Sequence, residues 1–389
     1  MAEKLLPQKE NDEKKRIIRL SALLHDIGHG PFSHISEDIL DKYSDDTNDS
    51  LKEKTHEKIT AKIIQTDREL KQFLSPNEIE NIIGLLSGKK VDISLMKEIV
   101  SGPLDADKMD YLLRDSYFCG VKYGVFDIHR MLNTLTTYDD NFDTHIAINY
   151  DGVNSLEQFV LAKYYMLTQV YCHKIRSIAD AMIIRGIELG IEKDGIEFLN
   201  KLYRYNENED YLKQYLGYWD DKVLNELVCS NKKGYSTEIF EMLYHRKLFK
   251  RIFSEKLKNI EIKSEKLKEK VINITTKENE ILRKQIEEQI SQINLLSCKK
   301  EHVIVNCFTI KSVRETSRDS EGGIIIIDRI GNKKNFEEES TVFSSIDESM
   351  KDISFEVYAP LQYTDQKDKK TKIKLIGQEI SNILKKMEV

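Results

Sequence analysis

One stretch, Leu23-Leu24-His25-Asp26-Ile27-Gly28-His29-Gly30-Pro31-Phe32-Ser33-His34, constrains this chain more than any other: it sets three histidines and an aspartate within ten residues. Before it runs Ile17-Ile18-Arg19-Leu20-Ser21-Ala22-Leu23-Leu24, apolar at helical spacing and therefore expected to be buried. A buried helix thus runs into an irregular turn at His25-Asp26. Imidazole and carboxylate are standard ligands for divalent metals. His25 and His29 stand four apart, on one helical face. Gly28, Gly30 and Pro31 let the backbone leave the helix and turn His34 back. A lone His-Asp dipeptide would read as a hydrogen-bonded core pair. Four such residues after an apolar helix read as metal binding, with further ligands needed from distant helices.

The 389 residues exceed one ordinary domain and support a sizeable core. Five prolines and seventeen glycines favour helix. The net charge of -6 argues against a general nucleic-acid coat but leaves room for a local basic pocket. The five cysteines form no CxxC pair and read as reduced cytosolic thiols. The charged first twenty residues carry no signal-peptide pattern, and no apolar run reaches the roughly twenty residues of a bilayer span. A cytoplasmic protein is the expectation.

The expected fold is mainly α. An all-helical core fills residues 1–253, a charged amphipathic helical segment 254–300, and a small α/β unit 301–389. Helices are expected at Met1–Leu6 (the end of one), Arg16–Asp26, Ser33–Tyr43, His56–Gln65 with Thr55 as cap, Pro76–Leu86, Ile93–Val100, Asp105–Phe118 and Asp127–Tyr138. Ser155–Leu189 reads as one long helix, and helices are expected to continue to about residue 253. A polar connection is expected at 7–15 and a polar loop at 44–54. His145–Tyr150 alternates as a short strand. Apolar residues at 267, 271, 274, 281, 286, 290 and 293 read as an arm packing on its own domain or on a partner chain; acids match its lysines, which disfavours nucleic acid. Strands are expected at 303–308, 324–330 and 353–358, and a closing helix over Thr371–Met387.

Three further elements can carry chemistry. In Asp105–Asp115, the residues Asp107, Tyr111 and Asp115 line one helical stripe, with Lys108 beside them. Alone, that stripe reads as Asp105 capping a helix of solvated acids; beside the His25 cluster it reads as a ligand followed by a polar substrate slot. His56-Glu57 opens a helix, where the dipole favours neutral imidazole able to move a proton; a surface dipeptide fits equally. In Lys163–Lys174, the positions 163, 167, 171 and 174 share a helical face. Two lysines and a tyrosine there suit phosphate and a flat sugar or base, and a core helix with snorkelling lysines fits as well. Together the elements read as a helical metal-dependent phosphohydrolase, with lysines neutralising phosphate charge.

HDIGHGPFSH at 25–34, THE at 55–57, DADKMDYLLRD at 105–115 and KYYMLTQVYCHK at 163–174 resemble, in order and separation, the HD-domain deoxynucleoside triphosphate triphosphohydrolases. That group includes the bacterial dGTPases and the SAM-and-HD-domain dNTPase. The resemblance covers roughly residues 1–250; GGIIIIDRIGNKK at 322–334 is weakly similar to the small C-terminal unit of the bacterial members. It implies hydrolysis of a dNTP to deoxynucleoside and inorganic triphosphate by water attacking the α-phosphorus beside a divalent ion (Mn, Mg, Fe or Zn). It makes His25, Asp26 and Asp107 metal ligands and His56 the proton-transfer residue, supported by Glu37. His29 and His34 would lie near the α-phosphate. Lys108, Lys163 and Lys174 would hold the triphosphate, and Tyr111, Asp115 and Tyr171 the sugar. It also implies a homo-oligomer and nucleotide effectors, while apolar-run length and charge argue against membrane and nucleic acid as partners.

The chain departs from the family pattern at four places. Glu37 stands where the SAM-and-HD relative has Asp. Lys163 stands for a usual Arg and lacks its bidentate fork. Cys172 replaces a Gln, so base preference does not transfer. The family's further metal histidine, in a segment of the form RFxHSLG, has no counterpart before Leu6, where MAEKLL reads as the end of that helix. A misassigned start or a truncated, metal-poor product is the expectation. The competing readings are an HD phosphohydrolase acting on a nucleoside monophosphate or cyclic dinucleotide, and a nucleotide-binding protein without turnover.

Overall fold

The computed structural model describes residues 1–44, 54–88, 94–140, 143–206, 208–229, 233–310, 318–319, 322–344 and 352–387. It is mainly helical, as expected, with small sheets. The chain divides into two compact units, each assembled from three separated stretches.

The first unit takes Met1–His29, Asp49–Tyr171 and Lys311–Met350. Its lead helix Asp12–Leu24 buries Ile17, Ile18, Ser21 and Leu24 and packs on helices Pro76–Leu86 and Ser94–Val100. Pro76–Leu86 starts where the sequence places it because Ser75 and Glu78 cap it reciprocally: Ser75 Oγ accepts from the Glu78 N–H, and the Glu78 carboxylate accepts from the Ser75 N–H. One core joins these helices to Leu112, Leu156, Phe159 and Met166. A four-stranded sheet runs in the order Leu135–Asp140, Asp143–Asn149, Ile325–Ile327, Lys333–Asn335. Its central pair is parallel, with Ile148 opposite Ile326.

The second unit takes Gly30–Asn48, Cys172–Ile310 and Lys351–Val389. Strand Asp352–Ala359 lies between Lys250–Lys256 and Ile304–Ile310, antiparallel to both. Helices Glu265–Ile272, Glu280–Ser291 and Gln366–Lys386 share a core with this sheet through Leu267, Val271, Ile286, Ile290, Ile376 and Ile380. Each such fully buried aliphatic side chain contributes about 1.5–3 kcal/mol. The stretch 254–297 therefore packs on its own unit, by the apolar positions read from the sequence; Ile281 is the exception and faces outward.

Several element boundaries differ from expectation. The lead helix starts at Asp12, drawing in residues read as a polar connection, and its Leu23 is 74% exposed. Thr55 lies inside helix Thr55–Thr66, whose cap is Lys54 with Glu57 folded back on its N–H. The expected helix Asp127–Tyr138 stops at Thr134, and Leu135, followed by the β-branched pair Thr136-Thr137, passes into a strand paired with Asp143–Asn149. The long helix Ser155–Leu189 is three pieces: Val153–Met166, a π-helical turn Leu167–Tyr171, and Lys174–Glu192 capped by His173. The run of helices expected to reach about residue 253 ends at Tyr244, and Lys250–Lys256 is a strand. The polar loop read at 44–54 lies, apart from its two ends, outside the described residues.

Candidate functional site

The lead helix ends at Leu24, and His25 follows with helical dihedrals. Its Nδ1 lies 3.0 Å from the Ala22 carbonyl oxygen. A carbonyl only accepts, so Nδ1 carries the proton and Nε2 of the neutral ring keeps its lone pair. Nε2 points at two carboxylates: Asp26 Oδ1 at 3.3 Å and Asp107 Oδ1 at 3.8 Å. Asp26 Oδ1 also lies 3.5 Å from His29 Nε2. The His25 Nε2 atom thus lies between a carboxylate of the turn at 25–26 and one of helix Ala106–Phe118. A backbone carbonyl orienting the imidazole from behind is the usual outer partner of a metal-ligating histidine.

The turn is held against the helix carrying His56 by backbone proximity. The Gly28 N–H donates to Thr60 Oγ1 at 3.0 Å, and the Thr60 hydroxyl donates to the His25 carbonyl at 3.1 Å. A Cβ on Gly28 would come within 2.2 Å of the His56 carbonyl oxygen, so glycine is required there by contact. The approach stacks His29 on His56, ring centroids 4.4 Å apart and planes 18° apart.

Asp105 caps helix Ala106–Phe118, accepting from the Lys108 N–H at 2.6 Å. This places Asp107 in its first turn, and Tyr111 and Asp115 follow along the same stripe. Asp115 Oδ2 accepts from the Tyr171 hydroxyl at 2.8 Å, and the Tyr111 and Tyr171 rings meet edge-on at 6.2 Å. Tyr171 ends the π-helical turn, which displaces it from a regular helical course. Burial pushes the Asp107 carboxyl above the usual carboxylate range; Asp105 and Asp26 push the same way, against His25 and Lys108.

The expected residues fall into groups. His25, Asp26, His29, His56 and Asp107 come together, and Tyr111, Asp115 and Tyr171 form a second, contiguous cluster. Lys108 folds back, its Nζ on Asp105 Oδ2 at 2.6 Å and the Gly102 carbonyl at 2.8 Å. Lys163 is half-buried in the last turn of Val153–Met166. His34, Glu37 and Lys174 belong to the second unit. There His34 Nδ1 lies 2.5 Å from Glu37 Oε1, and Lys174 is exposed at the start of its helix. Because the helix breaks at Cys172-His173, Lys174 does not share one continuous helical face with Lys163 and Tyr171. Thr60 was not singled out in the sequence: a threonine amid Ile59, Ile63 and Ile64 carries no signal until its hydroxyl is seen bridging the turn.

Residues 126–380 match the family described as an HD associated region, and residues 1–115 match the one described as an HD domain. Over 181 residues the chain is 33% identical to "Uncharacterized protein YwfO" of Bacillus subtilis, covering 45% of this chain and 37% of that protein. Over 180 residues it is 29% identical to "Deoxynucleoside triphosphate triphosphohydrolase SAMHD1 homolog" of Dictyostelium discoideum, covering 44% and 33%. A solved phosphohydrolase from Bacteroides thetaiotaomicron is similar in fold, with a TM-score of 0.64 at 24% identity, over 90% of this chain and 80% of that one. The chain spans well under half the length of these two curated relatives. Among the described residues, no helix is long and apolar enough to cross a membrane.

Proposed function

Since the chain belongs to the HD-domain proteins that carry an HD-associated region, we propose that it is a metal-dependent phosphohydrolase cleaving dNTPs to deoxynucleoside and inorganic triphosphate. The observation that carries the reading is the position of His25 Nε2, 3.3 Å from Asp26 Oδ1 and 3.8 Å from Asp107 Oδ1, with the imidazole oriented by the Ala22 carbonyl. This donor set fits a divalent ion. The raised Asp107 carboxyl fits it too, since two nearby carboxylates and burial are what a cation would offset. When bound, such an ion supplies Lewis-acid polarisation of a phosphoryl oxygen or of water.

The chain's own residues do the rest. His56, ordered by its stack on His29, moves the proton. Tyr171 and Asp115, already hydrogen-bonded, form the sugar slot: the Asp115 carboxylate, whose Oδ1 also meets Arg114 at 3.5 Å, accepts from a 3′-hydroxyl, and the Tyr171 ring excludes a 2′-hydroxyl. Lys163 neutralises phosphate charge, joined by Lys108 on release from Asp105. His34, Glu37 and Lys174 are assigned to the phosphates and to proton transfer by the sequence resemblance.

The deciding experiment incubates the full chain with Mn2+ or Mg2+ and each dNTP, alone and mixed, and resolves products by anion exchange. Deoxynucleoside and triphosphate in equal amounts support the reading. Orthophosphate, or hydrolysis confined to monophosphates or cyclic dinucleotides, would move the chain to another phosphoester. Tight dNTP binding by metal-poor protein without turnover would make it a nucleotide-binding protein.

A further inference from the structure

Helix Glu37–Tyr43 has only two turns, too short to hold itself in water. It follows a turn in which two non-glycine residues are left-handed, Phe32 at φ 66° and Ser33 at φ 48°. Such backbone persists only where surrounding structure over-determines it, and it concentrates at functional sites. Here both ends are tied within the second unit. At the turn, the Phe32 N–H donates to Asp220 Oδ1 at 2.8 Å, and the buried Ser36 hydroxyl donates to the Pro31 carbonyl at 2.6 Å.

The far end has an unusual anchor. Lys42 reaches three carboxylates, Glu188 at 3.0 Å, Glu192 at 3.2 Å and Glu280 at 3.3 Å, with its side chain only 14% exposed. Next to it the Tyr43 hydroxyl donates to Glu192 at 2.5 Å. Glu188 and Glu192 belong to helix Lys174–Glu192, and Glu280 opens helix Glu280–Ser291. A seven-residue helix has no packing need for a half-buried ammonium among three acids on two other helices. A hydrophobic residue would fill the place more cheaply, so the arrangement fixes orientation.

We infer that Lys42 is a positioning residue: by locking the end of helix Glu37–Tyr43 to two longer helices it holds the His34–Glu37 pair in register, with Asp220 locking the opposite end. This deepens the proposed function and rests on it, because the pair's part in the reaction comes from that reading. It also gives the helix Glu280–Ser291 a task, carried through Glu280.

The test compares wild type with Lys42→Met, Lys42→Arg, Asp220→Ala and Arg283→Met in the full chain. Arg283 pairs with Glu188 in the same network from helix Glu280–Ser291, so it reports what loss of a neighbouring pair in that network does on structural grounds alone. Four quantities are read: kcat, KM, bound metal and amide exchange over residues 30–43. Lys42→Met is expected to lower kcat at least tenfold with KM and metal content within twofold of wild type, and to speed exchange over 30–43. Lys42→Arg should recover kcat to within about threefold. Asp220→Ala, on an exposed side chain and safe for folding, should lose about fivefold in kcat. Arg283→Met should lower the melting temperature with kcat within twofold. The inference is overturned if Asp220→Ala and Lys42→Met keep wild-type kcat, or if Arg283→Met loses as much kcat as Lys42→Met. A wild type without turnover on any dNTP would sink the functional reading instead. Amide exchange would then still decide whether Lys42 holds the turn, and unchanged exchange in both Lys42→Met and Asp220→Ala would overturn that as well.

Discussion

Two clusters of acids in this molecule behave in opposite ways. In the second unit, Glu188 and Glu192 sit among Lys42, Arg185, Arg283 and Lys284. Burial would raise both carboxyls, yet Arg283, Arg185 and Lys42 hold Glu188 below the usual range, and the Tyr43 hydroxyl, with Lys42 and Lys284, holds Glu192 at about 2. In the first unit, Asp107 has burial and two further carboxylates on one side, and His25 and Lys108 on the other, and its carboxyl is raised. The first kind of cluster has its counter-charge built in and is finished by folding. The second has a deficit of positive charge and an imidazole lone pair directed into it. What distinguishes a structural ion network from a ligand-binding one is this balance, and residue composition alone does not show it.

The sharpest way to break the comparison is Asp107→Ala. It should abolish hydrolysis, by more than a hundredfold, and lower bound metal at least tenfold, while the melting temperature stays near wild type. Full turnover in that variant would remove helix Ala106–Phe118 from the site. The converse substitution is Arg185→Met, which leaves Glu287 buried without its guanidinium partner. Breaking such a pair costs about 3–5 kcal/mol, which denaturant unfolding would register, and metal content should not change. If metal falls with it, the two clusters are not separable in function.

A pH titration sharpens the contrast further. The folded-state carboxyl of Glu192 is lowered, so its contribution to stability is present above its ordinary value of 4.5 and is lost as pH falls towards about 2. Unfolding of the second unit, followed by amide exchange, should steepen across that window, and Glu192→Gln should flatten it. A curve unaltered by Glu192→Gln would mean the network contributes nothing to acid stability. The smallest expected effect is Tyr171→Phe. Losing the hydrogen bond to Asp115 should cost about 1 kcal/mol, seen as a roughly fivefold rise in KM for a dNTP.

Much of the Asp107 cluster was legible from residue types and spacing. His25-Asp26 after an apolar helix, and Asp107, Tyr111 and Asp115 at four-residue steps, are local patterns. The structure places them as that local geometry requires. What the sequence concealed depends on contacts between distant segments or on small departures from regular helix. The π-helical turn at Leu167–Tyr171 breaks a pattern that reads as continuous, because the apolar spacing hardly changes across it. Thr60 bridges two backbone groups of the turn only because Gly28 lets the helices touch. Lys42 drew no attention, since a lysine following an acid on a short helix reads as solvated. Its three partners lie about 150 and 240 residues away in the chain.

The parallel pairing of Ile148 with Ile326 has a consequence for how the protein is made. Strand Asp143–Asn149 leaves the ribosome with one neighbour, Leu135–Asp140, already available. Its other neighbour is synthesised only after all of Cys172–Ile310 has emerged. At roughly 5–20 residues per second, that edge waits about ten to forty seconds. The first unit therefore cannot finish before most of the second has been translated. The nascent protein must keep an apolar strand edge, with Ile146 and Ile148 on it, from pairing elsewhere for that time.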